Sequence, residues 1–140
     1  MNNSRILILS DQHIPHHHPD MLPFLKAIKK KYRPTRIVNI GDEVDQHAIS
    51  FHDSDPDLKS AGDELNEAIE VINRLERLFP EMEIMESNHG SLLYRKGVAH
   101  GIPARMLKSY NEVLEVGDGW KWMQDLSIKL PNGQPVYFCH

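Results

Sequence analysis

The sequence has one cysteine, no long apolar run and no excess of basic residues, and each shortage excludes a class of protein. Cys139 alone cannot form an internal disulfide, which is typical of a reducing compartment. No apolar run approaches the roughly 20 residues of a transmembrane helix, so we expect a cytoplasmic protein that makes no membrane contact. A net charge of −4 argues against a non-enzymatic nucleic-acid binder. A nuclease stays open, because bound metal ions would supply positive charge.

Two nucleotide-binding signatures are also missing. The sequence has neither Gly-x-Gly-x-x-Gly nor Gly-x-x-x-x-Gly-Lys-Ser/Thr, so a plain nucleotide-binding α/β domain is disfavoured. Its 140 residues are enough for one domain with a real hydrophobic core. We therefore expect a single domain over residues 1–140.

Short apolar runs alternate with helical patterns along the chain. Strands are predicted at residues 6–9, 37–40 and 82–85, and helices at 21–31 and 63–79. This alternation predicts an α/β fold with a mainly parallel sheet. A further short helix is predicted at 104–110. Strands at 126–130 and 136–138, separated by Asn132-Gly133, predict a C-terminal antiparallel hairpin.

A polar cluster follows each of the first three predicted strands. The clusters are Asp11-Gln12-His13, Gly41-Asp42-Glu43-Val44-Asp45 and Ser87-Asn88-His89-Gly90. In open α/β sheets, ligands bind outside the carboxyl ends of strands, where the strand order switches. Carboxylate and imidazole groups together suit a transition metal better than Ca²⁺ or Mg²⁺. Any one cluster is more typical of an ordinary turn, but all three at consecutive strand ends predict one metal site.

Taken together, these motifs resemble those of the calcineurin-like metallophosphoesterases. That family's pattern is Asp-x-His, Gly-Asp-x-x-Asp, Gly-Asn-His-Asp/Glu, a lone His, and then Gly-His-x-His, each at a strand end. The first two motifs stand intact here, Ser87 to Gly90 takes the place of the third, and His140 falls where the lone His belongs. The Asp-Gln-His and Ser-Asn-His-Gly-Ser variants are similar to those of phage-encoded members.

The resemblance implies a fold, a cofactor and a reaction. The fold would be the N-terminal part of a four-layer αββα sandwich. The cofactor would be two divalent metal ions, which could be Mn, Fe, Zn or Ni, with Asp42 shared between them. The reaction would be hydrolysis of phosphomonoesters or phosphodiesters by a bridging water that the two metals activate. The substrate would be a nucleotide, a nucleic-acid end or a phosphoprotein.

The resemblance also assigns roles to individual residues. His89 would donate a proton to the leaving group, and Asp45 would support the site through hydrogen bonds. The implied metal ligands are Asp11, His13, Asp42, Asn88 and His140.

Two departures from the family pattern qualify this expectation. Gly90 replaces the acidic residue that would orient the His89 imidazole, so we expect reduced proton donation by His89. The Gly-His-x-His motif would follow His140, where the sequence stops, so we expect a truncated domain with an open sheet edge that favours association. The alternative function is a non-catalytic fragment that binds a metal or a partner.

Several other polar and aromatic residues have no motif to fix their role. His16, His17 and His18 are predicted to lie in a proline-flanked loop. His47, His52 and Arg95 could contact substrate, although solvated loop positions explain them as well. Trp120 and Trp122 are expected to pack in the core.

Overall fold

A four-stranded parallel sheet forms the centre of the protein. The computed structural model describes residues 4–53 and 55–140. Strands β1 (Ile6–Leu9), β2 (Arg36–Asn39), β3 (Met82–Met85) and β4 (Trp120–Met123) pair in parallel in the order β1-β2-β3-β4. The predicted α/β class and parallel sheet are confirmed. The sheet follows chain order, so the expected switch in strand order is wrong for these four strands.

Four helices connect and flank the strands: α1 (Met21–Tyr32), α2 (Ala61–Leu78), α3 (Leu92–Ala99) and α4 (Tyr110–Leu114). Helix α2 begins after Ser60, whose Oγ accepts a hydrogen bond from the Asp63 N–H at 3.2 Å. The predicted helix at 104–110 is wrong. A 3₁₀ turn spans Ala104–Met106, and α4 starts only after Ser109, which forms a capping box with Glu112.

The two faces of the sheet are covered differently. Ile37 and Ile84 pack in a core cluster with residues of α1, α2 and α4, whereas Val38 and Met85 pack in a second cluster with Phe138. Side chains alternate between faces along a strand, so each strand contributes to both clusters. The second cluster lies between the sheet and the C-terminal hairpin. The predicted hairpin is confirmed, with β5 (Leu126–Lys129) paired antiparallel with β6 (Pro135–Phe138).

Both tryptophans lie in β4 and belong to the helix-side core, as expected. Trp120 is fully buried, and its Nε1–H donates to the carbonyl oxygen of Phe79 at 2.9 Å. Within the described ranges, no helix combines the length and the apolarity needed to cross a membrane.

Gly119, just before β4, provides a test of this packing. A Cβ atom there would lie 2.1 Å from the carbonyl oxygen of Pro80, which is backbone and cannot move aside. We expect Gly119→Ala to lower the free energy of unfolding by about 1–3 kcal/mol, as overpacking does. Urea denaturation measures the change.

Gly62 in the first turn of α2 is the matched control. A Cβ there meets nothing nearer than 3.9 Å. Gly62→Ala is expected to raise stability by about 0.5–1 kcal/mol, because alanine favours the helix. Equal effects of the two substitutions would contradict the packing described for β4.

Candidate metal centre

Parallel pairing continues past the ends of β1 and β2 and aligns the first two polar clusters. The Asp11 N–H donates to Gly41 O at 3.1 Å, and the His13 N–H donates to Asp42 O at 2.9 Å. Further along, the Asp45 N–H donates to Ile14 O at 3.0 Å. The two clusters therefore run side by side as ordered backbone.

Three of the predicted ligands have a left-handed backbone. The φ angles are 52° at Asp11, 46° at His13 and 55° at Asp42. Aspartate and histidine enter this region more readily than most residues, but still at a cost of about 1–2 kcal/mol each. Such conformations concentrate at functional sites, where the surrounding structure enforces them. Here the hydrogen bonds between the two clusters enforce them.

His13 presents one ring nitrogen to two carboxylates. Its Nδ1–H donates to Asp45 Oδ1 at 2.7 Å, which fixes the ring. Its Nε2 lies 3.9 Å from Asp11 Oδ1 and 3.9 Å from Asp42 Oδ2. A histidine whose Nδ1 is held by a carboxylate and whose Nε2 is free is the usual arrangement of a metal ligand.

His140 reaches the same place from the hairpin. Its Nδ1–H donates to the Ile40 carbonyl at 3.0 Å, which leaves Nε2 as the ring nitrogen that faces the site. That Nε2 lies 3.7 Å from Asp42 Oδ2 and forms a hydrogen bond of 2.6 Å with Asn88 Oδ1. An imidazole nitrogen and an amide oxygen are both atoms that can bind a metal ion.

Gly41 makes room for His140. A Cβ atom at Gly41 would lie 2.7 Å from His140 Nδ1 and 2.6 Å from Ser87 Cβ, and its φ of 109° also favours glycine. Gly41 therefore permits both the positive φ and the close approach of His140 and Ser87.

Ser87 joins the second and third clusters, a role that the sequence did not predict. Its Oγ accepts from the N–H groups of Asp42 at 2.9 Å and Gly90 at 3.0 Å. The His89 N–H in turn donates to Asp42 Oδ1 at 3.2 Å. Asp42 Oδ1 is thereby held by the backbone, and Oδ2 is the atom that faces both histidines.

Asp45 orients the proposed proton donor, His89. The His89 Nδ1–H donates to the Asp45 carbonyl oxygen at 2.6 Å, and the Asp45 carboxylate lies 3.6 Å away. The rings of His13 and His89 meet edge to face, with centroids 4.7 Å apart. His89 therefore has an orienting partner in spite of Gly90, and its Nε2 is the ring nitrogen left for proton transfer.

Glu43 is a fully buried acid beside the site. Trp122 Nε1–H donates to its Oε1 at 2.9 Å, while its Oε2 has no partner among the described residues. Burial raises the pKa of the Glu43 carboxyl, and the nearby Asp42 adds to this, whereas the Trp122 hydrogen bond opposes it. A Cβ at Gly90 would lie 3.1 Å from Glu43 Oε1, so Gly90 leaves space for this carboxyl group.

The donor set fits divalent metal ions. Within the described ranges, the ion pairs of Asp11 and Asp42 are with histidines, so these clustered carboxylates have no lysine or arginine to balance them. Asp11, His13 and Asp42 can direct ligand atoms at one point. Asn88 Oδ1 and His140 Nε2 lie 2.6 Å apart, and this His140 atom is 3.7 Å from Asp42 Oδ2. Oxygen and imidazole ligands together suit Mn²⁺, Fe²⁺, Zn²⁺ or Ni²⁺.

A second grouping, His13 with Asp45 and His89, is better explained without a metal. The Nδ1 atoms of both histidines already donate to Asp45, one to its carboxylate and one to its carbonyl oxygen. Asp45 thus accepts hydrogen bonds from two rings through two different oxygens.

Glu64 is a supporting residue that the sequence analysis missed. Its buried carboxylate accepts from the N–H groups of His47 at 2.8 Å and Ala48 at 2.9 Å, which fixes the segment after Asp45. The periodicity of α2 contains the signal, because position 64 precedes Ala68 by one turn and shares its buried face. An acid at a core position indicates a backbone partner.

Four other polar residues that the sequence singled out have the following positions. His16 approaches Glu64 at 3.7 Å, His18 lies in the exposed loop, and His52 is exposed. Arg95 lies beside the site, and its Nη1–H donates to the Asn88 carbonyl at 3.3 Å.

No protein-family model matches this sequence, and a search of curated proteins returns no match either. The function is therefore argued from the geometry and chemistry of the site.

Removing the Asp45 side chain tests its orienting role. We expect Asp45→Ala to weaken Mn²⁺ binding by about 10- to 100-fold, because the His13 ring loses the acceptor that fixes its tautomer. Isothermal titration calorimetry gives the affinity. Asp53→Ala, in the exposed loop, is the control and should bind as the unaltered chain does. Unchanged affinity in Asp45→Ala would show that this hydrogen bond is not needed.

The buried Glu43 predicts a pH dependence of stability. Its pKa is higher in the folded chain than its ordinary value near 4.5, so its favourable contribution is present below that value and is lost as pH rises. In EDTA, the free energy of unfolding of Glu43→Gln is compared with that of the unaltered chain. We expect the difference to shift in favour of Glu43→Gln by about 1–3 kcal/mol when the pH is raised from 5 to 8. Urea denaturation at both pH values measures this, with the exposed Glu81→Gln as control. A difference that does not change with pH would contradict a buried charge.

Proposed function

We propose that this chain is a calcineurin-like metallophosphoesterase that hydrolyses phosphomonoesters or phosphodiesters with two divalent metal ions. The observation that carries the proposal is that His13 Nε2 and His140 Nε2 lie 3.9 Å and 3.7 Å from Asp42 Oδ2. Asp11 joins the group on the His13 side, and Asn88 lies beside His140. Within that proposal, the parallel sheet and the hairpin correspond to the N-terminal part of a four-layer αββα sandwich.

The metal ligands divide into two groups around Asp42. Asp11 and His13 would hold one ion, Asn88 and His140 would hold the other, and Asp42 would serve both. The bound ions would supply a water of lowered pKa and positive charge at the phosphoryl oxygens. The remaining steps are performed by the chain's own side chains.

Proton transfer to the leaving group is assigned to His89. Asp45 holds its Nδ1–H, so Nε2 is the atom that would carry and release the proton. The Asp45 carboxylate lies 3.6 Å from His89 Nδ1. Because Asp45 also fixes His13, one residue sets the orientation of both a ligand and the proton donor.

The test compares two phosphodiesters in the presence of Mn²⁺, one with a nitrophenolate leaving group and one with an alkoxide. We expect both to be hydrolysed, and EDTA to abolish the activity. His89→Ala should lower the rate for the alkoxide ester by about 10²- to 10⁴-fold, because an alkoxide needs a proton to depart. The rate for the nitrophenyl ester should fall much less, because nitrophenolate can depart without a proton.

His100→Ala is the matched control, since His100 lies at an exposed helix end. Among the described residues, the side chain of His100 forms a hydrogen bond only with the Lys96 carbonyl. Equal losses for both esters in His89→Ala would contradict the proton-donor role.

The second candidate is a metal-binding module without catalysis. It is supported by the grouping of Asp11, His13 and Asp42, which can direct ligand atoms at one point and could bind a single ion without any reaction. Mn²⁺ binding without hydrolysis of either ester would support this second candidate and overturn the first.

A further inference from the structure

Beside the proposed metal centre, two cationic side chains approach one exposed aromatic ring. We propose that this surface, made of Phe51, Arg95 and Lys96 and called here the Phe51 platform, receives the base of a nucleotidyl phosphoester. The inference rests on the proposed function and deepens it by naming the substrate class. The substrate would be a nucleoside phosphate ester, either a mononucleotide or the end of a strand.

The platform combines an apolar face with positive charge. Phe51 is 50% exposed, so its ring is accessible to a ligand from solvent. The Arg95 guanidinium carbon lies 5.3 Å from the centre of the ring, and Lys96 Nζ lies 5.1 Å from it. A base stacks on an aromatic ring, and neighbouring cations meet its phosphate.

The two cationic side chains are held by neighbouring backbone. Lys96 Nζ donates to the Ser50 carbonyl at 2.7 Å, which ties α3 to the turn that carries Phe51. Arg95 Nη1 donates to the carbonyl of Asn88, whose side-chain oxygen is a proposed metal ligand. A single guanidinium group therefore separates the ring from the ligand residue. A base on Phe51 would keep its phosphate on the metal side of Arg95.

Charge distinguishes a short ligand from a long one. The chain carries −4 overall, and Asp53, Asp55 and Asp57 follow Phe51 closely. A protein that tracks a long strand or a duplex needs a continuous basic groove to contact many phosphates. Two cations beside one ring match one or two nucleotides. The platform therefore favours a nucleotidyl group over a polymer bound along its length.

Binding to the platform can be observed without metal or turnover. The chain has four phenylalanines, so 4-fluorophenylalanine gives four ¹⁹F signals, and Phe51→Tyr identifies the one from position 51. We expect thymidine 5′-phosphate, added in EDTA, to shift the Phe51 signal, and inorganic phosphate at equal concentration to leave it in place. A short oligothymidine compared with the mononucleotide distinguishes a strand end from a free nucleotide. A shift with a phosphotyrosyl peptide but not with thymidine 5′-phosphate would overturn the proposal.

Catalysis provides a second and independent readout. Thymidine 5′-p-nitrophenyl phosphate and methyl p-nitrophenyl phosphate share a leaving group and differ in the nucleoside. We expect Phe51→Ala to lower kcat/KM for the thymidine ester about tenfold, the size of one lost stacking contact, and to leave the methyl ester unchanged. Phe51→Trp should restore the preference.

Tyr32→Ala is the matched control. Tyr32 is also 50% exposed and has Lys31 Nζ 5.1 Å from its ring centre, but it lies at the end of α1, just before β2 begins. It should not affect either ester. If both esters are hydrolysed and Phe51→Ala leaves the preference for the thymidine ester over the methyl ester unchanged, the role of the Phe51 platform is contradicted but the proposed function is not. Absence of hydrolysis of either ester would instead count against the proposed function.

Discussion

The hydrogen bonds that continue the parallel ladder beyond β1 and β2 are the constraint on which the site depends. They join Asp11 to Gly41 and His13 to Asp42, and they return from Asp45 to Ile14. Because both segments are held by these hydrogen bonds, the left-handed backbone at Asp11, His13 and Asp42 persists in spite of its energetic cost. The carboxylates and the His13 imidazole are thereby directed to one point before any metal is bound.

The hairpin supplies the second constraint. Phe138 anchors β6 in the cluster with Val38 and Met85, and the chain then delivers His140 to the end of β2. The His140 ring is fixed there by its hydrogen bond to the Ile40 carbonyl, and it fits because Gly41 has no side chain. Packing on one face of the sheet thus positions a ligand at its carboxyl edge. This link explains how residues 100 positions apart in sequence share a site.

The part of the site that the sequence could predict is the part that strand ends determine. Each cluster follows an apolar run, and parallel strands bring their carboxyl ends to one edge, so Asp11, Asp42 and Asn88 were expected together. The hairpin was predictable from Asn132-Gly133 between two alternating runs. The start of α4 is also readable, since Ser109 and Glu112 have capping-box spacing, although the helix predicted over 104–110 lies earlier in the chain.

Other features depend on contacts that no local pattern contains. The sequence Trp120-Lys121-Trp122-Met123 is weak as a strand signal, yet it forms β4 because its tryptophans complete the helix-side core. The burial of Glu43 follows from Trp122, 79 positions away, and from the space that Gly90 leaves. The ring orientations of His13 and His89 both follow from Asp45, through two different oxygens. Such tertiary partners are visible only in the folded chain.

Anomalous diffraction from crystals grown with Mn²⁺ tests most directly whether Asp42 is the shared centre of a metal site. Anomalous density is expected beside Asp42 Oδ2, in contact with His13 Nε2 and with Asn88 Oδ1 and His140 Nε2. Mn²⁺ found only elsewhere, such as between His16 and Glu64, or no density beside Asp42, would contradict this role of Asp42.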